Sequence, residues 1–415
     1  MPMKGQNSST HRPSAALTLS HLAVAGYRSL QQLTVPLGAL PLGSSPVGSL
    51  TVVCGANGCG KSNLYRALGL IAAAARGELV AALAAEGGLA AVFWAGPERT
   101  TLEMRRGEQP VQGSSGRREA ARLRLGIAGA SLSYAIELGY RADDHSSAFV
   151  LDPEIKREWI WAGGPFHPRS LLVQRSGALV ERCGEGGRSQ PLALEVSPHE
   201  SLLTAVSDPL EAPEVFQLRS MILSWRFYDS FRTDLQAPAR CGRIATRTLS
   251  LAADGGDLAA AVQTIIEIGD HEGLQAAIAA AFPGCRLTVD TSQPTFRLQL
   301  HQPGLLRPLD ASELSDGTLR YLLLAAALFS PRLPPLLVLN EPENSLHPDL
   351  LAPLARLIAA VAERTQVWVV AHAEALIIAL EDSPGCTLLR LERELGATLL
   401  PGQTVLERAA WRWPA

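Results

Sequence analysis

The stretch VVCGANGCGKSNLYRAL, residues 52–68, constrains the fold more than any other part of the chain. Leu50–Cys54 is an apolar run of strand length, and Leu64, Ala67, Leu68 and Ile71 recur at helical spacing from Lys61 to about Ala75. Between them, Gly55 to Ser62 fits Gly-x-x-x-x-Gly-Lys-Ser. Strand, glycine loop and helix in that order predict an α/β fold with phosphate seated on the helix N-terminus. Gly55, Gly58 and Gly60 free backbone amides to converge on phosphate oxygens without a Cβ in the way. Ala56, Asn57, Cys59 and Asn63 complete the loop and first turn of this ATP site. Lys61 is expected on the β and γ phosphates, and Ser62 offers its hydroxyl to Mg²⁺. Cys59 reads as a small filler pointing away from the ligand.

Only three lysines occur in 415 residues, Lys4, Lys61 and Lys156, which adds weight to the one in the loop. The length calls for more than one lobe. A net charge of −3 excludes the globally basic surface of a dedicated nucleic-acid binder. The six cysteines form no Cys-x-x-Cys pair, which suits a reducing cytoplasm and argues against zinc. Residues 1–16 read as a disordered tail with no signal-peptide core. The Ala/Leu-rich stretch 67–94 is interrupted by Arg76, Glu78 and Glu86, so no membrane span is expected.

Period-two alternation between Ala90 and Leu194, as in Leu132, Tyr134, Ile136, Leu138 and Tyr140, predicts an antiparallel β lobe. The segments 113–119 and 142–147 read as loops within it. Helical stripes follow at Leu218/Met221/Ile222/Trp225, at Leu258/Val262/Ile265/Ile266 and at Leu274/Ile278/Phe282. Trp225 continues the first stripe, so Trp225-Arg226-Phe227-Tyr228 is expected as a core helix with solvated arginines. Base stacking by its aromatics is the competing reading. After strands at 286–289 and 295–300, the last hundred residues alternate helix, strand, helix, strand, the pattern of a parallel sheet covered on both faces.

Three elements of this last segment carry chemistry. Leu314-Ser315-Asp316-Gly317-Thr318 opens a helix, either as an anion site or with Ser315 as a plain N-cap. The strand Leu336–Asn340 ends at Glu341, placed as a general base at the sheet edge where ligands of open α/β folds bind. A second strand ends at His372, about thirty residues later, with one helix between. Asn340 stands where a metal-holding carboxylate is expected. An amide there can hold Mg²⁺ through water but brings no charge, and Glu343 could lend charge from nearby.

In this order and spacing the four elements resemble the ABC ATPase head: Walker A, signature, Walker B with catalytic glutamate, and switch histidine. AGYRSLQQLTVPLG before the loop and the form NEPENSLHP resemble the SMC, RecF and OLD-type branch. The resemblance implies an ABC head with a parallel or mixed P-loop sheet flanked by helices, an antiparallel β lobe and a helical insertion. The lobes implied are 17–195, 196–308 and 309–415. It also implies ATP and Mg²⁺ as cofactors, catalytic roles for Glu341, His372 and Lys61, and metal contacts from Ser62, Glu341 and, via water, Asn340. A head-to-tail homodimer would present Ser315, Asp316 and Gly317 to the partner's nucleotide, with 344–347 crossing the interface. Tyr27 or Arg28 would contact the nucleotide. Asp316 and Thr318 depart from the transporter signature, and no Q-loop glutamine stands out beyond Gln112 and Gln217.

The function implied is a slow ATPase in DNA maintenance or genome defence, working with DNA or a separately encoded effector and carrying no nuclease module. A nucleotide-sensing scaffold is the alternative that Asn340 favours. A transporter subunit is disfavoured by the roughly 250 residues between Lys61 and Ser315.

Overall fold

The computed structural model describes residues 18–38, 49–97, 101–108, 121–141, 148–184, 189–192, 194–229, 231–401 and 411–414. The expected tail 1–16, the loops 113–119 and 142–147, and Gln112 lie outside the described residues.

The P-loop strand Ser49–Gly55 sits inside a six-stranded sheet. Across that sheet run Arg226–Tyr228, Leu336–Asn340, Gln366–Val370, Ser49–Gly55, Cys386–Glu394 and Ala397–Leu399. The first five are parallel, and the last closes a hairpin antiparallel to its neighbour. The apolar runs are continuous because both faces are covered. Val53, Val338, Trp368 and Val370 pack with Leu64, Leu68 and Ile71 of the helix Lys61–Arg76. Val52, Cys54, Leu337, Leu339 and Val369 face the helices Asp316–Leu328, Leu351–Ala362 and Glu374–Glu381.

The antiparallel lobe has eight strands, from Leu30–Pro36 and Leu19–Tyr27 through Leu123–Gly129 to Ser189–Pro191. The N-terminal hairpin therefore joins the strands expected between 90 and 194, with Leu22 opposite Ile127 and Val24 opposite Leu125. A small antiparallel sheet, built on Arg286–Asp290 and Thr295–His301, packs with the helices Leu258–Ile268 and His271–Ala281.

One expectation is corrected here. The helix carrying Leu218 and Met221 stops at Leu223, and Ser224 caps it with its hydroxyl on the Met221 carbonyl. Arg226–Tyr228 is then a strand at the sheet edge, pairing in parallel with Leu337–Leu339. Phe and Tyr favour extended backbone, and an open sheet edge beside Leu336–Asn340 outweighs one more helical turn. Trp225, Tyr228 and Phe231 are buried, so none of the three is free to stack on a base. The segment 196–308 thus contributes a strand to the P-loop sheet itself.

Candidate functional site

The P-loop is shaped by packing on both sides. Gly55, at φ +142°, lies so close to the Leu391 carbonyl that a Cβ would come within 2.3 Å of it. Gly60, at φ +110°, is the N-cap of the helix, with no side chain capping it. The first amides of a 16-residue helix therefore present their partial positive charge to the loop. Lys61 is buried and folds back, donating from Nζ to the carbonyls of Gly55 (2.6 Å) and Ala56 (3.2 Å). Its charge is thereby held inside the loop. Cys59 is buried and packs into the core, and it also lines the cleft at the loop. Ala56, Asn57 and Gly58 are exposed, and Ser62 is half-buried in the first turn.

A hydroxyl and amide network braces this loop from behind. Asn63 Nδ2 donates to Ser29 Oγ (2.8 Å), Ser29 shares a hydrogen bond with Thr398 Oγ1 (2.7 Å), and Thr398 donates to the Cys59 carbonyl (2.7 Å). Arg28 stands next to this network, but its guanidinium is held by Glu86 at 2.7 and 3.0 Å, as is the Tyr27 hydroxyl at 2.6 Å. Burial, and then Glu86, raise the Tyr27 pKa. Both side chains, expected at the nucleotide, share the one Glu86 oxygen. Ser29, Glu86 and Thr398 were not legible in the sequence, because the contacts that involve them span long stretches of chain.

The parallel register brings the remaining residues to the same edge. Asn340 pairs with Val370, and Val370 with Val53. The Glu341 amide donates to the Val370 carbonyl (2.8 Å) and the Ala371 amide to the Val53 carbonyl (3.0 Å). Glu341, His372 and the P-loop therefore leave adjacent strands in the same direction. His372 lines a cleft of about 600 Å³ with Gly55, Ala56, Asn57, Arg390 and Arg393. Glu341 adopts φ +47°, a left-handed conformation that costs a non-glycine residue about 1–3 kcal/mol and persists only where the surroundings enforce it. Its carboxylate accepts from Asn344 Nδ2 (2.7 Å), and its carbonyl accepts from buried Arg320 (3.1 Å).

Glu343 turns one carboxylate oxygen to the histidine loop and keeps the other, Oε2, buried without a partner. Its buried carboxylate accepts the amides of His372 (2.6 Å) and Ala373 (3.0 Å) and lies 3.3 Å from His372 Nδ1. It thus fixes the histidine loop. Asn340 Nδ2 donates to Asp229 Oδ1 (2.8 Å), leaving its own Oδ1 buried without a partner. Ser62, Asn340 Oδ1, Asp229 and Glu341 are hard oxygen donors of the kind Mg²⁺ takes, so the residues fit that ion. No group of three or more His, Cys, Asp or Glu that could hold a metal alone occurs among the described residues. The fit is to a metal that arrives with phosphate oxygens.

Ser315 caps the helix Asp316–Leu328, accepting from the Thr318 amide (3.2 Å), and both Ser315 and Asp316 are exposed. Behind them Arg240 is buried and donates to the carbonyls of Leu314 (2.7 Å), Ala311 (3.1 Å) and Ser312 (3.2 Å) and to the Asp316 carboxylate (2.7 Å). Gly317 abuts the Ser345 carbonyl, which a Cβ would meet at 2.8 Å. Ser315 and Gly317 line a second open cleft with Ser345, Leu346 and His347, while the P-loop and His372 line the first. Gln217 is exposed on the helix Pro213–Leu223. Among the described residues no helix is long and apolar enough to cross a membrane.

Solved structures similar to this chain include SMC heads. One is the SmcHead bound to the C-winged helix domain of ScpA (13% identity, 92% of this chain and 96% of that one, TM-score 0.49). The SMC head domain from Thermotoga maritima follows (15%, 92% and 97%, TM-score 0.45). The Pyrococcus furiosus Smc head, with an extended coiled coil and bound to the C-terminal domain of ScpA, is similar at 12% (92% and 95%, TM-score 0.46). No curated protein matches the chain. A family model described as "AAA domain, putative AbiEii toxin, Type IV TA system" matches residues 50–376. That span is most of the chain, and the protein belongs to this family of P-loop ATPases with an AAA domain.

Proposed function

We propose that the protein binds Mg·ATP at the P-loop and hydrolyses it slowly within a head-to-tail homodimer. The observation that carries this reading is the sheet-edge register, in which His372 leaves the strand beside the one that delivers Lys61 and Glu341 the strand next to that. Lys61 would release the Gly55 and Ala56 carbonyls and turn to the phosphates. Glu341, held by Asn344, would orient the attacking water and accept its proton. His372, fixed through Glu343, would sense the terminal phosphate. Mg²⁺, held by Ser62 and by the polar groups at the end of the neighbouring strands, would neutralise phosphate charge.

The exposed patch Ser315–Gly317 lies in a separate cleft, which supports its use toward a second protomer. The loop 344–347 would cross that interface. The name of the family, a toxin of a toxin–antitoxin system, supports genome defence over DNA repair as the setting, with a separately encoded effector in the cytoplasm. A nucleotide-sensing scaffold with little hydrolysis is the second reading, favoured by the amide at Asn340.

Lys61→Ala tests the nucleotide site. Losing a charge-assisted contact of about 1.5–3 kcal/mol should weaken binding of a fluorescent ATP analogue about 10- to 100-fold. Binding equal to the wild type would remove the proposal.

A further inference from the structure

The amide at Asn340 has a charged neighbour that the sequence does not announce. Tyr228 pairs with Leu339 across the parallel strands, so Asp229 leaves the sheet beside Asn340. The contact is 2.8 Å from Asn340 Nδ2 to Asp229 Oδ1, and only the amide nitrogen can donate to a carboxylate. This fixes the Asn340 oxygen on the other side, buried and without a partner. Arg320, buried on the helix Asp316–Leu328, has its pKa lowered by burial against the opposing pull of Asp229, Glu343 and Glu341. Glu343 gives Oε1 to the amides of His372 and Ala373 and keeps Oε2 buried without a partner, and Glu341 gives one oxygen to Asn344.

We propose that Asp229 supplies, from the adjacent strand, the negative charge that Asn340 lacks, so that the pair replaces a single metal-holding carboxylate. The hydrogen bond orients the Asn340 oxygen toward the metal's water shell, and the exposed Asp229 carboxylate adds the charge. Mg²⁺ keeps several waters when it binds, and groups that act on those waters still tune its affinity. This inference rests on the Mg·ATP reading of the P-loop.

Mn²⁺ is the probe, followed by electron paramagnetic resonance with the full chain and ATP. Asp229→Asn should raise the Mn²⁺ concentration at half-saturation about 10- to 100-fold, leaving ATP binding in chelator unchanged. The exchanged pair, Asp229→Asn with Asn340→Asp, keeps an amide–carboxylate hydrogen bond and should restore the midpoint. An unchanged midpoint in Asp229→Asn overturns the assignment. So does a raised midpoint that the exchanged pair fails to restore, since Asp229 would then only hold Asn340 in place. A wild-type protein that takes up no Mn²⁺ with ATP removes the Mg·ATP reading itself, which separates the two failures.

Discussion

Glu341→Gln is expected to lower ATP turnover by about 10²- to 10⁴-fold, the contribution of a positioned general base. The substitution preserves size and leaves an oxygen to accept from Asn344 Nδ2, so the left-handed turn at 341 is retained. What it removes is the group that takes the proton from water. ATP binding should survive, because the P-loop contacts come from another strand. Steady-state phosphate release, read beside nucleotide affinity, separates the two. A variant that turns over at the wild-type rate would move the base elsewhere, and Asp229 would be the next residue to examine.

The largest effect on stability is expected from the antiparallel lobe. Glu158 and Arg175 are both fully buried and meet at 2.9 Å. Glu158 also accepts from Tyr134 Oη (2.6 Å), Ser201 Oγ (2.6 Å) and the Leu202 amide (2.8 Å). Arg175 donates to the carbonyls of Gly177 and Ser197, both at 2.7 Å. The pair therefore ties two strands of the lobe to the segment that leads back toward the P-loop sheet. Arg175→Met leaves a buried carboxylate with no counter-charge, at a cost of about 3–5 kcal/mol. Removing the charge as well, in Glu158→Gln with Arg175→Met, should recover much of that loss, since a buried pair is often matched by a neutral replacement. Chemical denaturation of the two variants gives both numbers. A single variant as stable as the wild type would contradict this account of the lobe.

The P-loop was legible because its chemistry is local. Four of eight consecutive residues must be of fixed types, and the flanking periods give strand and helix. Glu341 and His372 were legible for the same reason, as the ends of apolar strands. Asp229 was not, because the strand preceding it is three residues long and its partner is 111 residues away. No window of local periodicity carries that pairing, and the helical stripe ending at Trp225 argued against it. The role of Arg240 was not legible either: its partners lie on the far side of six intervening elements, at Ala311 to Asp316. Glu343 was seen, but not its contact with the histidine loop. Pattern alone could not say that the turn after Glu341 swings it under the histidine strand.

The central claim is an ATP-gated dimer, and sedimentation velocity of Glu341→Gln tests it most directly. Without nucleotide the protein should sediment as the 44.2 kDa chain, and with saturating Mg·ATP at twice that mass. A protein that stays at the mass of one chain with ATP bound would contradict the account.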